Sequence, residues 1–415
     1  MKSAGMIEQA QTSENSASEK GTAWFARMRQ DSLRKYEIQE FPEKLSDMKI
    51  SDEMKKLGSL SLPANVVKSR IEISHPKLKE LKSKGFVAMP IAEAVAKHSD
   101  KVMKHLFSKY SSDNKLLSMN AAYFEDGIFI YVPEDMDIRG TVELKCGSEV
   151  DDKTQTGTGV CLDRILVVAD KNSKVTILQN TIIDAENDLL RIEAVEVFPN
   201  AGSKILYANV QSLSGSVHNF SFKGSDVKRD ASMIWVDSFF GGKLSFSEVM
   251  TDLKENGAHT DNLGLFYGTK KQRFGIFIKN IHSMPNTVSD MLTKGVLDGH
   301  ARSIYNGTVR IAEHAHGSNG YQRQDVLLLS SAAGADAKPN LEIDNNDVRC
   351  THGVSIGQVD KEKMFYLMSR GLNEQDAKLK IVEGFYETML RRVTENSIRQ
   401  QIQDTIEENL LRKEK

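Results

Sequence analysis

Hydrophobic positions recur along this chain with two different periods, and the changes of period divide it into three parts. Trp24, Phe25, Met28, Leu33 and Tyr36 follow one another at roughly helical spacing, behind a possible cap at Thr22 and ahead of a stop at Pro42. The preceding residues, 1 to 20, are rich in Ser, Glu, Gln and Lys with few large apolar groups, and are expected to stay mobile. Pro90 suits the start of another helix, in which Ile91, Val95, Val102, Leu106 and Phe107 supply a buried stripe as far as Tyr110. Residues 21–120 are therefore predicted to form a mainly helical region.

From Tyr123 the period shortens. AYFEDGIFIYVPEDMDI sets an Asp126-Gly127 turn signal before a β-branched and aromatic run. RILVVAD, KVTILQN, KILYANV, SMIWVDSFF, KLSFSEV, RFGIFIKNI, RSIYNGTVRIAEHAH and DVLLLSS follow as strand-like segments, separated mostly by Gly, Asn, Asp, Ser and Lys. Most gaps are too short for the crossover helix that a doubly wound sheet requires, which leaves a β-sandwich or a β-solenoid over residues 121–358. ILVVA and VLLLS suit strands covered on both faces, whereas KLSFS and FGIFIKN alternate like one-sided strands. A long solenoid uses both types, although no strict repeat is visible.

After Gly357 the helical period returns, over a C-terminal helical region of residues 359–415. Asp360 caps a first helix carrying Met364, Phe365, Leu367 and Met368, which Gly371 ends. Asn373 with Asp376 resembles a capping box, Leu372 a staple, and Ile381, Val382, Phe385, Met389, Leu390 and Val393 make the apolar face of a second helix. In the last, Ile398, Ile402, Ile406 and Leu410 form a narrow stripe for one neighbour or partner.

Composition narrows the class of protein. With 40% hydrophobic and 27% charged residues the chain reads as an ordinary soluble protein, and a net charge of -2 offers no general attraction for nucleic acid. The N-terminus lacks an apolar signal region and no apolar run is long enough to span a bilayer, so a cytoplasmic location is expected. Cys146, Cys161 and Cys350 are too few and too far apart for a disulfide framework.

The sharpest chemistry lies in Leu341 to Gly357, LEIDNNDVRCTHGVSIG. Alternation from Val348 to Ile356 predicts an extended segment, which sets Cys350 and His352 on one face. Thiolate and neutral imidazole suit iron, copper or zinc, but two ligands are half a site. His314 and His316, with His300 upstream, form a second tempting cluster, read instead as a polar loop ending in Gly317. Cys146 and Cys161 flank a polar turn, DDKTQTGTG, with no further sign of a ligand role. The lysines from Lys77 to Lys84 are expected to form a solvated helix face, and the charged end from Arg412 to Lys415 a frayed terminus. Trp24 and Trp235 are expected in cores.

Pro339 to Leu372, PNLEIDNNDVRCTHGVSIGQVDKEKMFYLMSRGL, closely resembles the signature of the SufB/SufD family of iron–sulfur cluster assembly proteins. Weaker resemblance extends through Tyr123–Ile138, Arg164–Gln179 and Gln322–Ser330. Cys350-Thr351-His352-Gly353 is similar to the SufD form of the motif, with Val354-Ser355-Ile356 where Ala-Thr-Val is more usual. The SufB branch has its important cysteine ahead of the Asp-x-Leu-Leu segment, where this chain has Gln324 before Asp325.

The resemblance implies a right-handed parallel β-helix between helical regions, favouring the solenoid over the sandwich. It also implies a non-enzymatic scaffold that pairs through its β-helix with a SufB-type paralogue and docks a SufC-type ATPase on its C-terminal helices. Met364, Phe365 and Phe385 are the candidates for that docking surface. Cys350 and His352 would bind iron or a transient iron–sulfur cluster, drawing further ligands from the other subunit. With no GxxxxGK[ST] loop, nucleotide would be bound by the partner. The nearest alternative is a homodimeric scaffold acting with SufC alone. From another class, a β-helix carbohydrate-active enzyme would use carboxylates such as Asp344, Asp347 and Asp360.

Overall fold

The period-two segments of the central region stack turn upon turn. In the computed structural model, which describes residues 2–48, 66–148 and 158–411, one sheet contains β4 (Asp126–Val132), β6 (Gly159–Ala169), β8 (Leu189–Pro199), β10 (Val217–Val227), β12 (Leu244–Leu253), β14 (Arg273–His282), β16 (Arg302–Ile311) and β18 (Gly334–Ile343) in that order. A facing sheet contains β5 (Asp137–Ser148), β7 (Lys174–Ile183), β9 (Lys204–Leu213), β11 (Ser232–Gly241), β13 (His259–Gly268), β15 (Val288–Leu297), β17 (Asn319–Leu328) and β19 (Arg349–Gln358). Neighbours within this stack run parallel, so the chain alternates between sheets as a parallel β-solenoid.

Spacing between equivalent positions is uneven, because Asn219 lies opposite Ser245 whereas Ser303 lies opposite Ala335. That unevenness hides the repeat in the sequence. It also hides five strands, β8, β10, β13, β15 and β18, whose alternate positions carry charged or polar residues.

The N-terminal region covers the outer face of the first sheet. It contains α1 (Lys2–Ile38), α2 (Lys44–Asp47), α3 (Leu78–Ser83), α4 (Ile91–Lys97), α5 (Ser99–His105) and α6 (Lys115–Tyr123). Leu106, Tyr110, Leu117 and Phe124 pack there against Phe220, Phe222 and Phe246. The helix expected from Thr22 begins at Lys2, within the stretch expected to be mobile. Three strands also belong to this mainly helical region: β1 (Val66–Val67) beside β6, β2 (Ser69–Ser74) antiparallel to β5, and β3 (Val87–Pro90) antiparallel to β4. In α3 only Leu81 is buried and the lysines from Lys77 to Lys84 are exposed, as expected.

One expectation fails here for a physical reason. The single helix predicted from Ile91 to Tyr110 breaks at His98 and ends at His105, with Phe107 in the left-handed region at φ 66. Buried Glu196 accepts from the backbone N–H groups of Phe107 and Lys109 at 2.9 Å, replacing the hydrogen bonds that a continuing helix would supply. Arg164 balances that carboxylate at 3.2 Å, with both side chains fully buried.

The C-terminal helices α7 (Lys361–Ser369), α8 (Glu374–Leu390) and α9 (Asn396–Leu411) follow the predicted caps. Asp360 accepts from the N–H groups of Glu362 and Lys363, and Asn373 accepts from that of Asp376. Val382, Tyr386, Ile398, Ile402 and Ile406 bury themselves against the outer face of the second sheet, where the Tyr386 hydroxyl donates to the carbonyl of Phe266 at 2.6 Å. The narrow stripe of α9 is thus taken up within the chain. Trp24, on α1, is half-buried against the N-terminal core, and Trp235 is fully buried with its indole N–H donating to Thr251 at 3.1 Å. Residues 412–415 and most of the turn between Cys146 and Cys161 lie outside the described residues.

With both outer faces covered by apolar packing, polar side chains are turned into the solenoid. Arg191, Asp163, Glu193, Lys223 and Asp237 all point into the lumen, where Arg191 pairs with both carboxylates and Lys223 reaches across to Asp237. Burial alone would raise the Glu193 carboxyl, but Arg191 and Lys223 outweigh it and hold the group at about 2.

His282, also in the lumen, is kept neutral because burial lowers it to about 4. The unfolded chain would take up that proton near pH 6.5, so His282 subtracts stability as pH falls from 6.5 towards 4, reaching about 3 kcal/mol at the acid end. Thermal unfolding followed from pH 7 to pH 4.5 should therefore show a falling midpoint, with a shallower fall in His282→Gln. Equal slopes for the two proteins would refute this assignment.

Candidate functional site at the open end of the solenoid

β18 and β19 each pair on one side only, so the last turn leaves two strand edges free of backbone partners among the described residues. Cys350 and His352 sit on β19, and its register with β17 sets Cys350 beside Gly320 and His352 beside Gln322. Gly320, Gln322, Gln324 and Val326 are the buried, lumen-facing positions of β17. The thiol and the imidazole therefore share one face, as their spacing predicts, and that face is the lumen at its open end. Cys350 is half-buried and packs against the lumen core, whereas His352 is exposed.

Behind Cys350 the glycine at 320 makes room. A Cβ there would lie 2.8 Å from Val309 Cγ1, 3.2 Å from the Cys350 Sγ and 3.6 Å from His282 Nε2, so the missing side chain lets the thiol and the imidazole both pack close to residue 320. His282 Nδ1 is 2.8 Å from the Thr287 hydroxyl and Nε2 is 2.8 Å from that of Ser289. The Thr287 hydroxyl also lies 2.8 Å from that of Ser318 and 3.1 Å from the carbonyl of Met284, so both ring nitrogens of His282 are held in a hydroxyl network. Burial raises the Cys350 thiol, which favours S–H, and a metal held there would have to displace that proton. Nothing in the sequence pattern singled out His282, because its neighbourhood to Cys350 arises only by stacking of turns.

Other predicted residues fall elsewhere. His314 and His316 are exposed on the turn after β16, in the loop setting expected for them. His300 is exposed on another turn and borders a groove of about 1070 Å³ between the solenoid corner and α8 and α9, which includes neither Cys350 nor His352. Burial pushes the Cys146 and Cys161 thiols well up, the condition of inert buried cysteines. Among the described residues no group of three or more His, Cys, Asp or Glu side chains could hold a metal ion. A site on Cys350 and His352 needs ligands from outside this set.

The predicted docking residues separate. Phe365 is 73% exposed on α7, beside exposed Tyr366 and Met368, while Met364 is half-buried. Phe385 is instead half-buried in the seam between α8 and the second sheet, with the Lys294 ammonium 4.3 Å from its ring centroid. Its apolar surface is spent on the solenoid. No helix of the described residues is long and apolar enough to cross a membrane.

Comparison with known proteins identifies the family. The family model described as SUF system FeS cluster assembly, SufBD core domain, matches residues 152–385, and that of the SufBD protein N-terminal region matches residues 65–144. The chain is 29% identical over 333 residues to the iron–sulfur cluster assembly protein SufD of Bacillus subtilis, covering 79% of this chain and 75% of that one. It is 27% identical over 317 residues to an iron–sulfur cluster assembly SufBD family protein of Staphylococcus epidermidis, covering 76% and 67%.

Proposed function

The chain belongs to the SufBD family of iron–sulfur cluster assembly proteins and is SufD-like, and from that premise we propose that it is a non-catalytic scaffold on which clusters are built at a subunit boundary. The observation that carries this reading is the position of Cys350 and His352 on the lumen face of a terminal strand whose edge is unpaired. A second subunit continuing both sheets would bring its own ligands to the same opening, and iron or a nascent cluster would be held between the two. The cluster is cargo here, bound transiently and passed on.

The partner on the solenoid is a SufB-type paralogue, with a second copy of this chain as the alternative. Supporting that contact, Ile343, Val354 and Ile356 of the last turn are 41%, 42% and 40% exposed, an apolar rim at the free edges. The second partner is a SufC-type ATPase docked on α7, for which exposed Phe365, Tyr366 and Met368 supply the apolar surface. ATP binding and hydrolysis belong to that partner. Reduced thiols such as Cys350 accord with assignment to the cytoplasm.

Anaerobic reconstitution of the complex purified from its native cells, with iron(II) and sulfide, tests the reading. The wild-type complex should take up a cluster, and Cys350→Ser combined with His352→Ala should abolish uptake while leaving the complex intact. Undiminished uptake by the double variant would falsify the site. The mass and composition of the purified complex decide between a paralogue and a second copy.

A further inference from the structure

Gln322 and Gln324 are 1% and 0% exposed, yet neither end of either amide finds a hydrogen-bond partner among the described residues. Other buried polar atoms among the described residues also lack partners, Asn262 Nδ2, Asn280 Oδ1 and Thr293 Oγ1 among them, but only Gln322 and Gln324 leave both ends of an amide unmatched. Gln322 lies directly beside His352 and Gln324 beside Val354 in the register of β17 and β19, on the same lumen face.

The glycine at 307 lets Gln322 pack closely against Tyr305: a Cβ there would meet the Tyr305 hydroxyl at 2.5 Å and the Gln322 Oε1 at 2.7 Å, so a side chain would displace one or both polar groups. Tyr305 is 1% exposed, and its hydroxyl has a sulfur partner, Met291 Sδ at 3.9 Å. Gln322 thus lies beside the Tyr305 hydroxyl one strand inward from His352, and its amide N–H groups, like those of Gln324, have no acceptor among the described residues.

We propose that Gln322 and Gln324 form the inner wall of the Cys350–His352 site and donate N–H···S hydrogen bonds to the sulfide of a cluster held there. This rests on the reading of Cys350 and His352 as cluster ligands. Sulfide bound to iron is an acceptor without a donor, and amide N–H groups meet it without adding a charge to a poorly solvated space. Such hydrogen bonds to cluster sulfur tune iron–sulfur centres in general. Gln322 and Gln324 are positioning residues in this role, because Cys350 and His352 hold the metal.

The test uses the full chain in its purified complex, under anaerobic conditions, with iron(II) alone and with iron(II) plus sulfide as probes. Gln322→Met and Gln324→Met, singly and together, keep the side-chain length and remove the N–H groups. Iron(II) uptake without sulfide should match the wild type, and the thermal midpoint should not fall, since an unsatisfied buried amide is itself unfavourable. Loss of acid-labile sulfide from the reconstituted complex should be about tenfold faster in the double variant. Sulfide loss at the wild-type rate would overturn the proposal and leave the amides as hosts for water. His352→Ala, run in parallel, separates the two levels: if it lowers iron uptake while the methionine variants retain sulfide normally, only the role of the glutamines fails. A wild-type complex that retains no sulfide overturns both.

Discussion

Arg191→Leu is expected to destabilise the solenoid by about 3–5 kcal/mol, the range for removing one partner of a buried ion pair. Its guanidinium donates to Asp163 at 2.7 Å through Nε, to Asn219 at 3.0 Å and to Glu193 at 2.6 Å, all inside the lumen. Burial alone would depress the guanidinium, but Glu193 and Asp163 together push it above its ordinary value. Leucine fills part of the space, leaves Asp163 buried without its counter-charge and leaves Glu193 with Lys223 alone, so the carboxyl groups must give up charge or draw in water. Urea unfolding monitored by circular dichroism measures the cost. Adding Asp163→Leu and Glu193→Leu should recover much of the loss, because an apolar replacement of a whole buried network is close to neutral. A cost below about 1 kcal/mol for Arg191→Leu would mean that the network is hydrated and contributes little.

The second large effect is expected at the opposite end of the solenoid. Ile356→Asp together with Ile343→Asp should weaken the pairing of subunits roughly 100-fold or more, since each aspartate would enter the interface as a buried, unpaired charge. The fold of the single subunit should hardly change, because both side chains are about two-fifths exposed in the isolated chain. Native mass spectrometry of the wild-type and variant complexes reads the outcome directly. A variant that keeps its partner at wild-type concentrations would show that the free edges of β18 and β19 are not the contact surface. The two predictions separate stability from assembly, because Arg191 lies well inside the stack and Ile356 on its last strand.

Much of this architecture is legible in the chain. Helical periods at both ends and a period of two between them follow from local spacing, as do the caps at Asp360 and Asn373. The pairing of Cys350 with His352 on one face needs only that strand residues two apart point the same way. The motif around them suffices to recognise the family. Gaps too short for crossover helices excluded a doubly wound sheet, although the uneven turns kept the solenoid from declaring itself as a repeat.

The direction in which each strand faces was not legible. KLSFS reads as a one-sided strand, and the structure turns its serines inward: Ser245 and Ser247 point into the lumen while Leu244 and Phe246 are buried beneath the N-terminal region. Alternation separates residues into two sets without saying which set is inside. That choice depends on what covers the outer face, and the cover comes from residues more than a hundred positions away. The neighbours of the site depend in the same way on stacking: Gln322 meets His352, and Cys350 and His282 both pack close to Gly320, only because successive turns lie in register. The sequence by itself determined the order of helical and strand regions, the family and the two candidate ligands, because these rest on local periodicity and a contiguous motif. Only the tertiary structure decided that those ligands face an open lumen lined by unsatisfied amides, because the partners that create this environment are brought together by turns of unequal length.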